Sequence, residues 1–291
     1  MNEIISLNTE QLRNLQSIEL EMLIEVDRIC HKNKIQYSLD GGTLLGAIRH
    51  KGFIPWDDDL DVMFTHENYE KFYEACKEDL DTSRFFFQDF RTDPNYRWGY
   101  GKMRRLGTEY VKKGQEKMKQ KSGICIDVFA YQNLPDNEKE RRRYRRKMFC
   151  IRKIMYSELG KYAADELYMR IWYKICNIIP IEFVQKQRLS ELNKLNNIKT
   201  QKMSCEMFPT PTKKDGISSS IFADYTEVEF EGMKFMAVKE FDQYLKICYG
   251  NYMELPPVEK RQGVMNAVKF DFISLDRQDL LNEYLRNRGL E

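Results

Sequence analysis

The sequence of 291 residues predicts an α+β fold in which a mixed β-sheet is covered by a layer of helices. Strand-like runs alternate with helical patterns over residues 1–135, residues 137–198 are charged and helix-favouring, and a second α+β stretch follows. The 42% hydrophobic and 32% charged content is typical of a soluble globular protein and argues against a disordered or membrane-spanning chain.

The first predicted elements lead to a glycine turn. Asn8 can cap a helix that continues to about His31, and the alternating residues 35–39 read as a strand. That strand ends at Asp40-Gly41-Gly42, and a short helix is expected over residues 43–49. Two glycines between a strand and a helix let backbone amides approach an anion, although a Gly-Gly pair alone is more often an ordinary turn.

An acidic segment comes next, as Asp57-Asp58-Asp59-Leu60-Asp61 before a strand expected over residues 60–64. Side chains alternate on a strand, so Asp59 and Asp61 are predicted to point to the same side. Two carboxylates so close are costly to keep ionised unless a cation such as Mg²⁺ or Mn²⁺ lies between them. A solvated acidic turn is the simplest alternative, whereas Thr65 replaces the glycine that an EF-hand would need. The preceding glycine turn favours a phosphate and metal site.

The elements that follow the acidic segment are predicted from short sequence patterns. A helix is expected over residues 67–80, a strand over residues 84–90, and a pair of strands on either side of Gly107. A short apolar strand over residues 124–129 carries Asp127. This carboxylate is either a satisfied structural residue or a third acid, which would bind the metal or accept a proton from the attacking hydroxyl.

Three basic residues are candidates for contacts with bound phosphates. Alternation puts Lys102 and Arg104 on one face of their strand, and Arg49 follows the short helix. Phosphoryl transfer depends mainly on positioning and on neutralising charge, which such side chains can supply. A surface charge is the simpler interpretation of each residue taken singly.

Bulk charge and cysteine content limit the function classes. Lys+Arg of 47 against Asp+Glu of 45 gives a net charge of +2, which argues against nucleic acid as a partner. Seven scattered cysteines without a Cys-x-x-Cys motif predict reduced thiols, neither a disulfide framework nor a zinc site. Residues 1–10 lack an apolar signal core, so a cytoplasmic protein is expected.

The basic run over residues 141–147 has two interpretations. Its simplest interpretation is a solvated helix face. A basic patch also gains about 1 kcal/mol per Lys or Arg near an anionic membrane. Weak, salt-sensitive peripheral association with the inner membrane face is therefore expected.

Residues 39–61, read as LDGGTLLGAIRHKGFIPWDDDLD, resemble the characteristic motif of the LicD family. That family includes bacterial phosphocholine transferases and is similar to the fukutin-related ribitol-phosphate transferases. Residues 102–108, 123–129 and 249–257 support the resemblance, which covers about residues 8–261. The chain departs from the family at residues 261–266, where histidines are common, and at residues 235–239, where a proline is expected.

The resemblance implies a nucleotidyltransferase-type mixed sheet and a divalent metal, Mg²⁺ or Mn²⁺. It also implies a CDP-linked donor such as CDP-choline, release of CMP, and transfer to a hydroxyl of a cell-surface glycan or its lipid-linked precursor. Carried over by position, Asp59 and Asp61 are metal ligands and Asp127 is the third acid. Gly41, Gly42 and Thr43 line the phosphate turn.

The predicted organisation is a single catalytic unit with four parts. Residues 1–34 form a helix packed on the core, 35–135 the catalytic core, 136–200 a helical region, and 201–291 a C-terminal α+β part. Phosphoalcohol transfer competes with nucleotidyl transfer and with a non-catalytic binding module. Trp98, Tyr96 and Tyr100 are either a cage for a quaternary ammonium or core and loop anchors.

Overall fold

A long helix, α1 (Thr9–Asn33), runs through the centre of the protein and is buried along most of its length. The computed structural model describes residues 7–205, 216–261, 263 and 267–290. The predicted cap is confirmed, because the Asn8 side chain accepts from the Gln11 amide while the Gln11 side chain accepts from the Asn8 amide. This reciprocal pair fixes where the helix begins.

The first half of the chain builds most of the sheet. Its elements are β1 (Ser38–Leu39), α2 (Gly41–His50), β2 (Asp61–Thr65), α3 (His66–Asp79), β3 (Phe85–Gln88), β4 (Gly101–Arg105), β5 (Glu109–Lys112) and β6 (Cys125–Leu134). The predicted inward face of α3 is confirmed, since Tyr69, Phe72, Tyr73 and Cys76 are buried.

The sheet is mixed, and the predicted α+β class is confirmed. Its strands follow the order β1-β2-β6-β4-β3. The β2 and β6 strands run parallel, with Asp61 opposite Asp127, while the other pairs of this series are antiparallel. The parallel pair therefore brings two of the predicted acids side by side.

The prediction that the strands on either side of Gly107 pair with each other is wrong. Both edges of β4 are occupied, by β3 and by β6. Gly107, with φ of 77°, turns the chain away, and β5 instead pairs with a strand near the C-terminus. A distant segment had to supply the partner, which no local pattern reveals.

Four helices form the layer predicted for the middle of the chain: α4 (Glu138–Met155), α5 (Ser157–Ala163), α6 (Leu167–Cys176) and α7 (Ile181–Asn196). The sequence predicted one break, at Pro180, but the layer is also interrupted at Tyr156 and before Leu167. At the first of these, the Ser157 hydroxyl donates to the Ile154 carbonyl at 2.5 Å and competes with the helical pattern.

The C-terminal part adds β7 (Lys202–Ser204), β8 (Ile217–Ser218), β9 (Tyr225–Phe230), β10 (Met233–Val238), α8 (Phe241–Tyr249), β11 (Ala267–Asp271) and α9 (Arg277–Arg288). The second α+β stretch expected from the sequence is confirmed, since β9 and β10 pair as a hairpin and α8 follows them. β7 pairs with the far end of β6, and β11 is the partner of β5.

Candidate active site

The two glycines of the predicted turn are the first two residues of α2, not a loop ahead of it. The helix begins earlier than predicted because Asp40 caps it, accepting from the Gly41 amide at 2.7 Å. Gly41 has φ of 48°, and a Cβ at Gly42 would lie 2.8 Å from a carboxylate oxygen of Asp57. Glycine is needed here because acidic side chains crowd the start of the helix.

The start of α2 also fixes the position of Asp61. The Asp61 amide donates to the Thr43 hydroxyl at 2.9 Å, and its carbonyl accepts from the Asp40 amide at 3.0 Å. Thr43 is buried, so its hydroxyl joins α2 to β2 and does not line the cleft. Asp61 is the first residue of β2 and Asp59 precedes the strand, so the same-strand argument for this pair is wrong.

A cavity of about 450 Å³ nevertheless brings the three predicted acids together. Five carboxylates line it, because Asp40 and Asp57 join Asp59, Asp61 and Asp127. The rest of the wall consists of Gly41, Gly42, Phe129, Tyr131, Cys205, Tyr244, Cys248 and Tyr249. We call this space the acidic cavity.

A second cavity of about 420 Å³ shares Asp59 and Asp127 with the acidic cavity. Its wall combines aromatic rings with cationic groups, from Trp98, Tyr100, Tyr110 and Tyr156 and from Lys102, Arg104, Lys112 and Arg152. We call it the cationic cavity. The two shared carboxylates therefore lie between spaces of opposite charge.

Crowding raises the pKa values of the acids in this cleft. Burial raises the pKa of Asp61 well above its usual range, and the carboxylates of Asp59 and Asp127 raise it further. Burial, together with Asp59 and Asp58, raises the pKa of Asp57 to about 8. Burial also raises the pKa of Asp40 to about 6, although hydrogen bonds from Tyr244 and the Gly41 amide oppose the rise. So many carboxylates cannot all ionise without a compensating cation.

Part of that compensation comes from Lys102, whose ammonium forms an ion pair with Asp127. Burial acts to lower the pKa of Lys102, but Asp127, Cys125 and Tyr96 together raise it by more. In the part of the chain that the structure describes, no three His, Cys, Asp or Glu side chains are arranged to hold a metal ion. The oxygen-only chemistry of the acids suits a hard divalent ion, but a three-carboxylate site requires Asp127 to turn away from Lys102.

Comparison with known proteins places this cleft in a family. Residues 34–162 match the family model described as LicD/FKTN/FKRP, nucleotidyltransferase domain, and this range contains all three predicted acids. The chain is 29% identical over 271 residues to the lipopolysaccharide cholinephosphotransferase LicD of Haemophilus influenzae, covering 86% of this chain and 94% of that one. The resemblance to the LicD family expected from the sequence is confirmed. An uncharacterized protein of Rickettsia prowazekii is 36% identical over 76 residues, or 20% of this chain and 29% of that one.

The three basic candidates, Lys102, Arg104 and Arg49, have different surroundings. Lys102 lies at the junction of the cavities, on Asp127. Arg104 lines the cationic cavity but is committed to buried hydrogen bonds with the Gln88 side chain and the Gly123 carbonyl. Arg49 lines neither cavity, since its guanidinium donates to the carbonyls of residues 252 and 254 after α8.

The predicted aromatic cluster of Trp98, Tyr96 and Tyr100 also contains residues that line a cavity and one that does not. Trp98 and Tyr100 line the cationic cavity, whereas Tyr96 is 1% exposed in the core and lines neither space. A larger cavity of about 850 Å³, beside Tyr96 and α7, contains none of the acids. The volume of a cavity therefore does not by itself identify the candidate active site.

Several residues of the cleft were missed by sequence reasoning. Asp40 was assigned only to a turn, and Tyr244 was not singled out at all. The Tyr244 hydroxyl donates to Asp40 and lies 3.1 Å from the Tyr131 hydroxyl, while Tyr249 closes the acidic cavity beside Gly41. Helical spacing is the sequence signal that could have identified some of them, because it puts Tyr244 and Cys248 on one face of α8.

The predicted departures from the family lie in two places. Residues 262 and 264–266 lie outside the described residues, but Arg261 is 5.7 Å from the Trp56 ring and a Cβ at Gly263 would be 2.7 Å from the Trp56 carbonyl. Arg261 and Gly263 therefore border the acidic run. The stretch without the expected proline lies in β10 up to Val238, and these strand residues pair with β9.

Proposed function

We propose that this protein transfers phosphocholine from a CDP-linked donor to a hydroxyl of a cell-surface glycan or its lipid-linked precursor, and that CMP is released. The observation that carries the proposal is the pair of carboxylates, Asp59 and Asp127, shared by an acidic and a cationic cavity. A donor with a cationic alcohol at one end and a nucleotide diphosphate at the other can span both cavities, with its reacting phosphorus at these two carboxylates. The lipopolysaccharide cholinephosphotransferase of Haemophilus influenzae, similar over 86% of this chain, supports this reaction class.

We assign the metal role to Asp59, Asp61 and Asp127. When bound there, Mg²⁺ or Mn²⁺ would neutralise the charge of the donor phosphates. The raised pKa of Asp61 supports this assignment, because its carboxylate needs a cation to stay ionised. Lys102 forms an ion pair with Asp127, and we infer that its ammonium would also contact a phosphate oxygen of the donor.

Charge and ring content suggest how the donor lies. The acidic cavity suits a trimethylammonium cation, since five carboxylates and the rings of Phe129, Tyr131, Tyr244 and Tyr249 surround it. The cationic cavity suits the phosphates and the aromatic base of the nucleotide, because Lys102, Lys112 and Arg152 lie beside aromatic rings there. We therefore favour CDP-choline over donors with neutral alcohols.

A panel of CDP-alcohols tests the proposal directly. Purified protein is incubated with Mg²⁺, a glycan acceptor, and CDP-choline, CDP-ethanolamine, CDP-ribitol or CDP-glycerol, and released CMP is measured beside the mass of the product. We expect CMP release that is fastest with CDP-choline and is stopped by a chelator. A product that gains the nucleotide itself would identify nucleotidyl transfer instead, and no turnover with any donor would contradict the proposal.

Tyr249 offers a matched test of the choline assignment. Replacing a cation-contacting ring costs about 0.5–2 kcal/mol, so Tyr249→Leu should raise KM for CDP-choline by about 2- to 30-fold. Tyr249→Phe keeps the ring and should retain most of the affinity. Equal losses in both variants would show that the hydroxyl matters and the cation contact does not.

Peripheral association with the inner membrane face is part of this proposal, because a lipid-linked acceptor is presented at a membrane. Among the described residues, no helix is both long and apolar enough to cross a bilayer. Any contact with lipid through these residues must therefore be made from the surface.

A further inference from the structure

The helix α6 presents an apolar face to solvent. Five of its side chains are at least half exposed: Leu167, Tyr168, Ile171, Trp172 and Ile175. At 100° per residue they cover one continuous arc of about 140°. Tyr173 and Cys176, on the other side, make the contacts that hold the helix to the protein. Folding of the chain itself therefore does not account for the exposed arc.

The apolar surface continues beyond α6. Ile178 and Phe183, which follow it, are 78% and 56% exposed, and Phe149 of α4 is 49% exposed. Phe149 lies close to α6, because the Lys153 ammonium is 5.6 Å from its ring and 3.3 Å from the Tyr173 hydroxyl. Contiguous exposure on this scale is typical of an interaction surface. We call it the α6 face.

The helical layer around the α6 face is positively charged. Residues 138–196 carry fifteen Lys and Arg against seven Asp and Glu, so this layer holds an excess that the rest of the chain offsets to reach +2. Arg170 and Lys174 lie along one edge of the apolar arc of α6, and both are exposed. The acidic groups on these elements nearest the arc are Asp165 and Glu166 before the helix and Glu182 after it.

Only part of the basic run over residues 141–147 can supply positive charge beside the α6 face. Arg141 is 7% exposed, and its guanidinium donates to the carbonyls of Pro135 and Asp136. Arg142 pairs with Glu138 and Lys147 with Glu191, although all of these side chains except Glu191 are largely exposed. Arg143 and Arg146 are exposed on the same helix. The run therefore supplies a partial basic flank to the α6 face.

We propose that the α6 face docks on an anionic lipid bilayer, with α6 lying flat in the headgroup region. Interfacial helices combine an apolar face with Lys and Arg on its borders, and their affinity sums apolar burial and attraction to anionic lipids. Trp172 and Tyr168 are the residue types enriched at membrane interfaces. Leu167, Ile171 and Ile175 supply the aliphatic surface that enters the acyl boundary.

Charge favours a bilayer over a second copy of this chain. A twofold dimer uses the same patch on both subunits, so it would bring the basic borders of two α6 faces against each other. Like charges facing across an interface oppose association. An anionic membrane presents the complementary sign instead.

Docking in this way sets the cationic cavity beside the lipid surface. Tyr156 lines that cavity, and its ring lies 5.6 Å from the ring of Tyr173, on the inner side of α6. A donor whose phosphates lie in the cationic cavity would then be held next to the membrane that carries a lipid-linked acceptor. This last step rests on the proposed function, whereas the docking does not.

Vesicle flotation without any substrate tests the docking. The intact protein is mixed with phosphatidylcholine vesicles and with phosphatidylcholine vesicles containing phosphatidylglycerol, at low and high salt. We expect binding to the anionic vesicles that weakens with salt, and a loss of about tenfold or more in the double variant Trp172→Ser, Ile175→Ser. The matched control is the double variant Val258→Ser, Leu290→Ser. It removes two exposed apolar side chains outside α4–α7, so it should bind vesicles as the parent does.

Three outcomes would overturn the proposal. They are equal binding to both vesicle types, unchanged binding by the α6 double variant, and a dimer in sizing chromatography that this variant dissolves. CMP release from a soluble donor is measured on the same proteins without vesicles, and the α6 variant should keep it. Because that assay is separate, failure of the reaction and failure of the docking give different results.

Discussion

At the scale of single residues, Asp61 connects the geometry of the cleft with its electrostatics. Its backbone is held by Thr43 and Asp40, and its side chain stands opposite Asp127 in the parallel strand pair. Burial and neighbouring carboxylates raise its pKa well above the usual range. The backbone thus holds a carboxylate where its charge is least favourable, which is typical of a functional site.

We expect Asp61→Asn to abolish transfer without unfolding the protein. The substitution removes a proposed metal ligand, and it also removes a carboxylate whose ionisation opposes folding, so metal-free stability should be equal or higher. Transfer assays with and without a chelator, beside thermal unfolding, check both halves. Glu67→Gln, an exposed charge on α3, is the control. Near-normal transfer that a chelator does not affect would contradict the metal assignment.

Asp127 should behave differently because it faces both cavities. As a general base it would contribute about 10² to 10⁴ in rate. We expect Asp127→Asn to keep measurable affinity for the CDP donor in the presence of Mg²⁺ while losing most transfer, whereas Asp59→Asn and Asp61→Asn should weaken donor binding as well. Calorimetry of donor binding beside the transfer assay separates these roles. Complete loss of donor affinity would make Asp127 a third metal ligand only, and full activity would make it structural.

Asp40 predicts a pH dependence of stability. Its folded-state pKa of about 6 lies above the usual value, so its stabilising contribution is fully present below the ordinary aspartate pKa and is lost as pH rises through about 6. The difference corresponds to about 3 kcal/mol. Asn can replace Asp40 as a helix cap, so Asp40→Asn should flatten this slope. Urea unfolding of both metal-free proteins at about pH 4 and about pH 7 measures it; parallel slopes would contradict the assignment.

At the scale of elements, the joint between α2 and β2 positions the acids. The two elements are separated by ten residues, 51–60, yet the Thr43 hydroxyl meets the Asp61 amide at the first residue of β2. Gly46 allows the close return of the chain, since a Cβ there would lie 2.5 Å from the Gly52 carbonyl. The helix cap, the glycines and the strand start therefore act together.

Thr43→Val tests this joint. It keeps the shape of the side chain but leaves the Asp61 amide without its acceptor, which should cost about 1–3 kcal/mol. Thr43→Ser keeps the hydroxyl and is the matched control. Denaturant unfolding measures the stability change, and KM for Mg²⁺ reports whether Asp61 has moved. A KM for Mg²⁺ in Thr43→Val equal to that of Thr43→Ser would argue against a positioning role.

At the scale of the whole molecule, the two ends of the described chain close on each other. Arg288 of α9 pairs with Asp27 of α1 at 3.0 Å and with Glu227 of β9 at 2.7 Å. Burial raises the pKa of Asp27, although Arg288 and the hydroxyl of Tyr37 oppose the rise. The C-terminal helix therefore holds a charge of the central helix that could not otherwise be buried.

Arg288→Met should cost about 3–5 kcal/mol, because it leaves Asp27 buried without its partner. The double variant Asp27→Asn, Arg288→Met removes both charges and keeps an acceptor for Tyr37, so it should recover part of the loss. Urea unfolding of the parent, both single variants and the double variant gives the coupling energy. Additive effects would mean that the two groups do not depend on each other.

Local patterns predicted much of the fold and the centre of the site. The capping residues of α1, the inward face of α3 and the length of α8 follow from spacing and from side chains that bond to their own backbone. The placement of Asp127 on a strand was also readable from its neighbours. Such features depend on contacts within a few residues along the chain.

The amino-acid sequence by itself determined the α+β class, the helices with capped and periodic patterns, and a motif that resembles that of the LicD family. Only the tertiary structure decided which strand pairs with β5 and which five carboxylates line one cavity. It also decided that the Tyr244 hydroxyl donates to Asp40 and that α6 leaves an apolar arc exposed. Local patterns register which way a side chain points from its own helix or strand. They do not register which distant segment meets it, because that choice depends on how the whole chain shares its buried surface.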